Sequence, residues 1–428
     1  MLRYDPLVGP FELPPKIERL MTTPEVQRLK DIRLLNICSP TFQALSEVRR
    51  LAHSLAVVAL SERMKPRLSQ RFDARDLDHW QVALLVHDMR TPPFGHLFEY
   101  RLSERWGWRH DSRLDDVVFG LYRPENANDQ IYFGNSLELF HVLDELNIDI
   151  ETVTQYLTGA TPLGKLVSGT LDLDNIDNVF RMGLFFGWGS SRNDYLGLVD
   201  ALDIEGDILT VDPRGLDAIE SWRSIRRDVY RHLFFDAPTV SLQAMLTKAF
   251  EIAIDDGVLS PAHWRLTDDE ILRMLSKHQK TKAIVKRVAV ADYYQAVGLL
   301  WFDDSELHGQ KLASTCALKE LEAAVSKAAG TDVTAYAVLD RGTFSRRLEV
   351  RIGGFNNAGE VTQIGETSRS VLVGLFAGTR NSLPEVRHSK TLDAAREYLA
   401  HIGLYLELPQ ADFHRHHGEV YAQLPIAF

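Results

Sequence analysis

The chain has 428 residues, of which 45% are hydrophobic and 25% are charged, and its formal net charge is −11. This composition is typical of a globular protein with enough apolar material for a large core, arranged in one large domain with a smaller one or in two domains. The negative charge argues against a protein whose main partner is a nucleic-acid backbone. It leaves room for a small anionic ligand, which needs only a local cationic pocket.

The cysteine content and the N-terminal sequence bear on the cellular setting. Cys38 and Cys316 lie far apart in the chain, and this spacing supports neither a disulfide framework nor a thiolate zinc site. We therefore expect a reducing, cytoplasmic environment. The first residues lack a cationic segment followed by an apolar run, and no stretch approaches the roughly 20 apolar residues that span a bilayer. Export and membrane insertion are thus not expected.

From about Pro15 to Lys327 the dominant periodicity is helical. Apolar residues recur at helical spacing through residues 24–38, 47–64 and 76–89, and this pattern predicts three helices. The third ends before Pro92, where the missing amide hydrogen and the ring stop a regular helix. The same pattern predicts later helices at Thr170–Phe185, Gly215–Phe235, Val240–Asp255, Asp268–Ser276 and Ala313–Ala329.

The periodicity changes near Gly330. Four segments with many β-forming residues predict strands and hairpins: VTAYAVLD, RRLEVRIGGF, EVTQIGE and SVLVGLFAG. A final helix is predicted at about Thr391–His401. Because no long Gly/Ser linker intervenes, we expect the C-terminal region to pack on the helical body. The predicted fold is mainly α, with a helical domain at residues 1–329 and a smaller α+β region at residues 330–428.

Four residues in the helical part have the chemistry of a hydrolytic metal site. Such a site needs nitrogen and oxygen ligands that are distant in sequence and converge in the fold, with one coordination position left for water. His53, His87, Asp88 and Asp174 meet this description. Adjacent helical residues differ by about 100° in direction, so His87 and Asp88 can both reach one ion at a helix end. Taken singly, each residue also fits a core histidine, a helix cap or a salt-bridge partner.

The order of these residues and the text around them resemble a known family. The segments RRLAHSL, LLVHDMRTPPFGHLFE, WGWRHDS and LDLDNIDNVFR are similar, in order, to the motifs of the HD phosphohydrolase superfamily. The start of the chain and the segment RRDVYRHLFF resemble the branch that contains bacterial dGTP triphosphohydrolases and the vertebrate sterile-alpha-motif/HD dNTP triphosphohydrolase. The resemblance runs from about Asp5 to Phe250, with its motif core at residues 50–182.

The resemblance implies an HD-domain helical core and assigns roles to its residues. It implies one divalent metal ion, of Mg, Mn, Fe, Co, Ni or Zn, bound by the four residues above. It places His96, Glu99 and His110 where the family orients the attacking water or protonates the leaving oxygen. A structural His96 that satisfies loop backbone is the alternative for that residue.

Substrate contacts are predicted for basic and aromatic residues near these motifs. They are Arg50, Arg90, Arg109, Arg181, Tyr230 and Arg231. Arg226 and Arg227 are further candidates for phosphate contact. Each arginine fits a surface salt bridge as well, which is the more common role of an arginine.

The chain departs from the family pattern around the substrate. Arg90 and Thr91 stand where the family has glycine and histidine, and Asn175 and Asn178 stand where it has a basic residue and a tyrosine. Leu34 replaces the glutamine that the branch uses against the sugar 3′-hydroxyl, which weakens the basis for deoxynucleotide selectivity. The departures leave the metal-ligand set intact.

The predicted function is that of a metal-dependent nucleotide phosphohydrolase, and most specifically a (d)NTP triphosphohydrolase. The alternatives are a phosphomonoesterase or phosphodiesterase acting on another nucleotide, and a non-catalytic nucleotide-binding regulatory protein. The resemblance implies a nucleotide substrate and a homo-oligomer, and it leaves open a nucleotide activator near Gln27 and Lys30. A membrane partner is not expected and nucleic-acid binding is not supported. The histidines of FHRHH, His414, His416 and His417, fit a solvated loop better than a second metal site.

Overall fold

The structure is a computed structural model, and it describes residues 1–37, 39–110, 132, 138–188, 192–340, 342, 346–353, 361–365, 368–379 and 383–408. Within these ranges the fold is mainly α with small sheets, as the sequence predicts. Contacts divide the chain into two compact units. The first unit comprises Met1–Leu233, Met245–Tyr293 and Phe344–Glu366, and the second comprises Phe234–Ala244, Tyr294–Thr343 and Thr367–Phe428.

The described helices are numbered here in chain order. They are α1 (Pro15–Met21), α2 (Pro24–Gln27), α3 (Gln43–Ser46), α4 (Arg50–Leu68), α5 (Ala74–Val86), α6 (His96–Trp106), α7 (Glu138–Glu145), α8 (Ile150–Leu157), α9 (Leu173–Phe185), α10 (Arg192–Ala201), α11 (Leu216–Phe235), α12 (Ala237–Asp255), α13 (Asp268–Lys277), α14 (Lys282–Ala289), α15 (Thr315–Ala329) and α16 (Glu385–His401). Short 3-10 helices lie at Arg28–Asp31, Leu163–Leu166, Pro213–Gly215, Pro261–Arg265 and His308–Ala313.

The described strands form three sheets. They are β1 (Arg3–Asp5), β2 (Gly9–Phe11), β3 (Leu202–Glu205), β4 (Ile208–Val211), β5 (Gln295–Asp303), β6 (Val333–Asp340), β7 (Leu348–Ile352), β8 (Val361–Ile364) and β9 (Ser370–Ala377). The first unit holds the hairpin β1–β2 and a mixed sheet in the order β3-β4-β7-β8, in which only β4 and β7 are parallel. The second unit holds the antiparallel sheet β5-β9-β6.

The core of the first unit fixes the helices that carry the candidate site. The apolar faces of α4, α5 and α9 meet in one buried cluster, in which Trp80 is completely buried. Two aspartates determine where α5 and α9 begin, because their carboxylates accept hydrogen bonds from otherwise unpaired backbone N–H groups. Asp73 accepts from the amide of Asp76 at 2.8 Å, and Asp172 accepts from the amide of Asn175 at 2.6 Å.

The second unit has its own core. Helices α15 and α16 pack on one face of the sheet β5-β9-β6, where their apolar residues form a cluster with those of the strands. On the other face, Val240 and Ala244 of α12 pack against Phe376 of β9. The strand β9 is buried along its whole length, which is expected for the central strand of a sheet that is covered on both faces.

Several local predictions differ from the structure. The predicted helix at residues 24–38 is limited to α2 and a 3-10 turn, because the chain then becomes extended and Arg33 bridges to Arg49. Strands β3, β4 and β5 lie in the region where helical periodicity predominates. Among the described residues, no helix is long and apolar enough to cross a membrane.

Candidate metal centre and acid–base group

Three helices bring the four predicted metal ligands together. His53 lies on α4, His87 and Asp88 follow the end of α5, and Asp174 lies in the first turn of α9. His53 Nε2 is 2.9 Å from Asp174 Oδ1, and His87 Nε2 is 3.6 Å from the same oxygen. His87 Nε2 is also 3.6 Å from Asp88 Oδ2. Residues that are up to 121 positions apart therefore converge on one point.

Two atoms of this group are buried without a hydrogen-bond partner in the part of the chain that the structure describes. They are His87 Nε2 and Asp88 Oδ2. The other ring nitrogen of His87, Nδ1, lies 2.8 Å from the carbonyl oxygen of Leu84. Because a carbonyl only accepts, Nδ1 carries a proton, and Nε2 is the ring nitrogen that faces the carboxylates. Burial lowers the pKa of His87, but Asp88 and Asp174 outweigh it and raise that pKa. Unpartnered buried polar atoms are costly, and a divalent cation that displaces the Nε2 proton would satisfy both this nitrogen and the carboxylate oxygen.

Arg50 and Thr91 fix the orientation of Asp88. Arg50 Nη1 donates to Asp88 Oδ1 at 2.6 Å, and the Thr91 hydroxyl donates to the same oxygen at 2.9 Å. Burial raises the pKa of Asp88, but the charges of Arg50 and His87 outweigh burial and hold that pKa well below its usual range. Asp88 therefore stays ionised with Oδ2 directed away from both donors. The guanidinium of Arg50, predicted to contact phosphate, contacts this carboxylate.

His53 is completely buried between two carboxylates. Its Nδ1 lies 2.6 Å from Asp177 Oδ2, and its Nε2 faces Asp174. Burial lowers the pKa of His53, but the hydrogen bonds to Asp174 and Asp177 outweigh it and raise that pKa to about 10. The position between His53 Nε2 and Asp174 thus binds a proton strongly, and a metal ion at this position would displace that proton. A second carboxylate on Nδ1 is the usual support of a metal-binding histidine.

Asp177 is held in turn by a buried network. Arg181 donates to both of its oxygens, at 2.8 and 2.9 Å, and the Tyr195 hydroxyl donates at 2.6 Å. The remaining guanidinium nitrogen of Arg181 donates to Asp5 at 2.9 Å. All three nitrogens of Arg181, predicted to bind substrate, thus contact carboxylates in the protein interior. From the sequence, Asp177 was interpreted as part of a solvated face or as an acid at a helix start, whereas it is completely buried. Its spacing from Arg181 is that of a helical ion pair, and Tyr195 was not predicted to take part.

A second group combines His96, Glu99 and His110. Glu99, on the first turn of α6, lies with its two oxygens 2.7 Å from His96 Nδ1 and 2.7 Å from His110 Nδ1. Burial raises the pKa of Glu99, but the hydrogen bonds from His110 and His96 outweigh it and lower that pKa. An ionised carboxylate only accepts, so both Nδ1 atoms carry protons, and Nε2 of His96 is left for another partner. His96 is about half exposed, with 49% of its side-chain surface accessible.

The start of α6 lies against Arg50. Gly95 has φ +52°, and a Cβ atom on it would come within 2.5 Å of Asn36 Oδ1 and 3.1 Å of Arg50 Nη2. Arg50 therefore adjoins the helix of His96 with one guanidinium nitrogen and the candidate metal ligand Asp88 with the other. This contact links the two groups.

The other predicted substrate contacts lie in different surroundings. Arg90 is buried, with its guanidinium carbon 5.2 Å from the ring centre of Trp108 and 5.7 Å from that of Trp264. Arg109 and Arg231 are exposed. Tyr230 is half-buried, and its ring centre is 4.8 Å from the guanidinium carbon of Arg226. The histidines of FHRHH and Cys38 lie outside the described residues.

One cation near the centre was absent from the sequence predictions. Arg346 donates to Asn175 Oδ1 at 2.7 Å, one residue after Asp174. It lies outside the segment that carries the family resemblance, so no motif signals it. The same Asn175 oxygen is 3.5 Å from Arg226 Nη1.

Comparison with known proteins supports the motif analysis, although no protein-family model matches the chain. The deoxynucleoside triphosphate triphosphohydrolase SAMHD1 of Xenopus laevis is 36% identical over 102 residues, which are 23% of this chain and 16% of that protein. The SAMHD1 homolog of Dictyostelium discoideum is 22% identical over 318 residues, which are 68% of this chain and 59% of that protein. The chain resembles the HD-domain dNTP triphosphohydrolases. The resemblance predicted from the motifs is thereby confirmed at the level of the family.

Other relatives of the chain have no assigned activity in their names. YwfO of Bacillus subtilis, an uncharacterized protein, is 23% identical over 256 residues, which are 57% of this chain and 55% of that protein. The matches therefore cover less than two thirds of the length of each of these relatives. A phosphohydrolase from Bacteroides thetaiotaomicron has the same fold at a TM-score of 0.63 and 17% identity, covering 88% of this chain and 99% of that one. A hypothetical protein from Aquifex aeolicus also matches at 0.63, covering 93% and 99%.

Proposed function

We propose that the protein is a metal-dependent nucleotide phosphohydrolase, and specifically a (d)NTP triphosphohydrolase that releases nucleoside and inorganic triphosphate. The observation that carries the proposal is the convergence of His53, His87, Asp88 and Asp174, with two of their ligand atoms buried and unpaired within the described chain. The family resemblance supports the choice of substrate class. The activity and the partners are proposed, because the matches cover only parts of the relatives.

The four residues would hold one divalent metal ion. Bound there, such an ion would lower the pKa of a water molecule and polarise a phosphoryl oxygen. The protein's contribution is to keep the ligands in place. Asp177 holds His53 and Arg50 holds Asp88, so the unfilled position lies between side chains whose rotation is already restricted.

The group of His96, Glu99 and His110 supplies the proton transfer. Glu99 fixes the Nδ1 proton of His96, and His96 Nε2 is the atom left to give a proton to the leaving oxygen. His110 is the second candidate for this step, because it is held by the other oxygen of Glu99.

The decisive experiment is a substrate panel with product identification. Purified protein is incubated with Mn²⁺, Mg²⁺ or Co²⁺ and with dNTPs, NTPs, nucleoside monophosphates and cyclic dinucleotides. Release of nucleoside and triphosphate supports the proposal. Orthophosphate or a linear dinucleotide identifies the phosphomonoesterase or phosphodiesterase alternative, and absence of turnover from metal-loaded protein supports a regulatory role.

A pair of double variants assigns the activity to this site. His87→Ala/Asp88→Ala is expected to lose turnover by several orders of magnitude together with metal binding. His308→Ala/Glu306→Ala removes an exposed histidine–carboxylate pair, with atoms 2.9 Å apart, and is expected to leave both unchanged. Measurement of molecular mass with and without nucleotide tests the predicted homo-oligomer and the predicted nucleotide activator.

A further inference from the structure

Two arginines meet at an amide next to the candidate metal centre. Arg346 Nη1 donates to Asn175 Oδ1 at 2.7 Å, and Arg346 Nη2 donates to the carbonyl oxygen of Gly169 at 2.7 Å. Arg226 Nη1 lies 3.5 Å from the same Asn175 oxygen. Asn175 directly follows the proposed metal ligand Asp174, and the charge of Asp174 acts on Arg346.

The acceptors that hold Arg346 are neutral. Among the described residues, no carboxylate oxygen lies within 4.0 Å of its guanidinium nitrogens, although the group is partly buried. The charge of Asp172 acts on Arg346 without a direct bond, because the Asp172 oxygens accept hydrogen bonds from the amide groups of Gly169 and Asn175. A guanidinium has five N–H donors, of which these two bonds use only part.

The environment of Arg226 fixes its direction. Its guanidinium carbon lies 5.5 Å from the ring centre of Trp222 and 4.8 Å from that of Tyr230. The Trp222 indole N–H in turn donates to the carbonyl oxygen of Asn175 at 3.1 Å. Arg226 is buried, with 6% of its surface exposed. Two guanidinium groups that are held close together with little exposure to water repel each other, and an anion between them relieves that repulsion.

We propose that Arg346 and Arg226 form a phosphate-binding pair beside the candidate metal centre. The inference rests on the proposed function, since the phosphates would be those of the nucleotide. Planar guanidinium groups match the spacing of phosphate oxygens, and two of them can share the charge of a polyphosphate. Arg346 lies just before β7. This segment belongs to the first unit, as the candidate metal ligands do, although more than 170 residues separate it from Asp174.

The experiment measures binding of inorganic triphosphate to the full chain by isothermal titration calorimetry, with Mn²⁺ present and also with metal removed. Arg346→Ala is expected to weaken binding by about 10-fold or more, as for loss of a hydrogen bond to a charged group. Arg347→Ala is the matched control, because Arg347 is the exposed neighbour. This control is expected to bind as the wild type does.

A rescue variant separates phosphate binding from a purely structural role of Arg346. Asn175→Lys in the Arg346→Ala background returns a positive charge to the same place and is expected to restore most of the affinity. If Arg346→Ala does not fold, Arg346→Gln serves instead, because it keeps an N–H donor for Asn175 without the charge. Thermal unfolding of each variant verifies the fold.

The outcomes for this pair are distinct from those for the proposed function. Triphosphate binding that depends on Arg346 without any turnover supports the pair and overturns the enzymatic proposal. Turnover with triphosphate affinity unchanged in a folded Arg346→Ala variant overturns the pair and leaves the enzyme. The pair is also overturned if the wild type does not bind triphosphate, or if Asn175→Lys fails to restore binding.

Discussion

At the scale of single residues, the candidate metal centre depends on side chains that hold the proposed ligands in place without being ligands themselves. Asp177 receives hydrogen bonds from His53, Arg181 and Tyr195 while completely buried. We predict that Asp177→Asn lowers the free energy of unfolding by about 3–5 kcal/mol, because it leaves the buried charge of Arg181 poorly compensated. Urea denaturation measures this change. Metal affinity is expected to fall by about 10- to 100-fold.

Asp200→Asn is the control for that substitution. Asp200 also pairs with an arginine through both oxygens, but both side chains of this pair with Arg63 are 45% exposed. Loss of an exposed pair is expected to cost less than about 1 kcal/mol. Equal decreases in the free energy of unfolding in the two variants would mean that the buried network around Asp177 stabilises the fold no more than an exposed ion pair does.

A second residue-scale prediction concerns pH. The pKa of Glu99 is lowered from 4.5 in the folded protein, so its stabilising contribution is fully present above about pH 4.5 and is lost as the pH falls through the folded-state pKa. Thermal unfolding of wild type and Glu99→Gln is compared from pH 7 downward. The difference in melting temperature is expected to shrink below about pH 4.5. Glu397→Gln, an exposed position, provides the baseline, and a constant difference for Glu99→Gln would refute the prediction.

The sequence predicted four candidate metal ligands, which converge in the structure, but it could not predict which partner each arginine contacts. Ligands are identified by residue type and order, whereas the partner of a guanidinium depends on which helices pack together. Arg181 turns inward to Asp177 and Asp5, and Arg346 comes from a distant segment to Asn175. Neither contact has a local signal in the sequence, because a long, flexible arginine side chain can reach several neighbours on a packed surface.

At the scale of elements, helix α6 illustrates how backbone conformation positions the proposed proton-transfer group. Gly95 precedes α6 with φ +52° and ψ −131°, a conformation that disfavours every residue with a Cβ atom. We predict that Gly95→Ala destabilises the protein by about 2–4 kcal/mol, combining strain with the contact to Asn36. Turnover is also expected to fall by more than the loss of folded protein accounts for, because the added methyl group would displace Arg50 relative to His96.

Gly107, at the other end of α6, gives a matched control. It also has a positive φ, +66°, but nothing lies within 4 Å of an added Cβ atom. Gly107→Ala is therefore expected to cost only about 1 kcal/mol of backbone strain and to leave turnover unchanged. Similar losses of turnover in the two alanine variants would assign the effect to strain alone. Circular dichroism and denaturation, measured beside the turnover assay, separate these outcomes.

The elements that carry the site were largely predictable, and those that were missed have clear physical reasons. Long amphipathic helices such as α4 and α9 show the helical period over several turns. In contrast, β3 and β4 are four residues each around a turn at Gly206, which is too short for an alternating pattern to stand out. The apolar stripe at residues 24–38 continues past the point where the backbone of Leu34 pairs with Val48. Tertiary pairing there overrides the local pattern.

At the scale of the whole molecule, the chain crosses between its two compact units more than once. The strand β7 belongs to the first unit, where it pairs in parallel with β4 and buries Leu348 and Val350 in the core. The strand β5 belongs to the second unit, where it pairs with β9. A division at residue 329, predicted from the change in periodicity, would leave β4 without β7 and β5 without β9. Composition reports local structure, and it does not report which distant strands pair.

This interleaving leads to a prediction about fragments of the chain. Residues 1–329 expressed alone are expected to aggregate or to unfold at a temperature well below that of the full chain. The sheet of the first unit loses β7 and β8, and the sheet of the second unit loses β6 and β9, so apolar strand edges are exposed. Co-expression with residues 330–428 supplies β6, β7, β8 and β9 and is expected to restore a soluble, cooperatively unfolding complex. Size-exclusion chromatography and thermal denaturation measure both. If residues 1–329 fold alone with the melting temperature of the full chain, the pairing of β4 with β7 is dispensable and the boundary after residue 329 divides true domains.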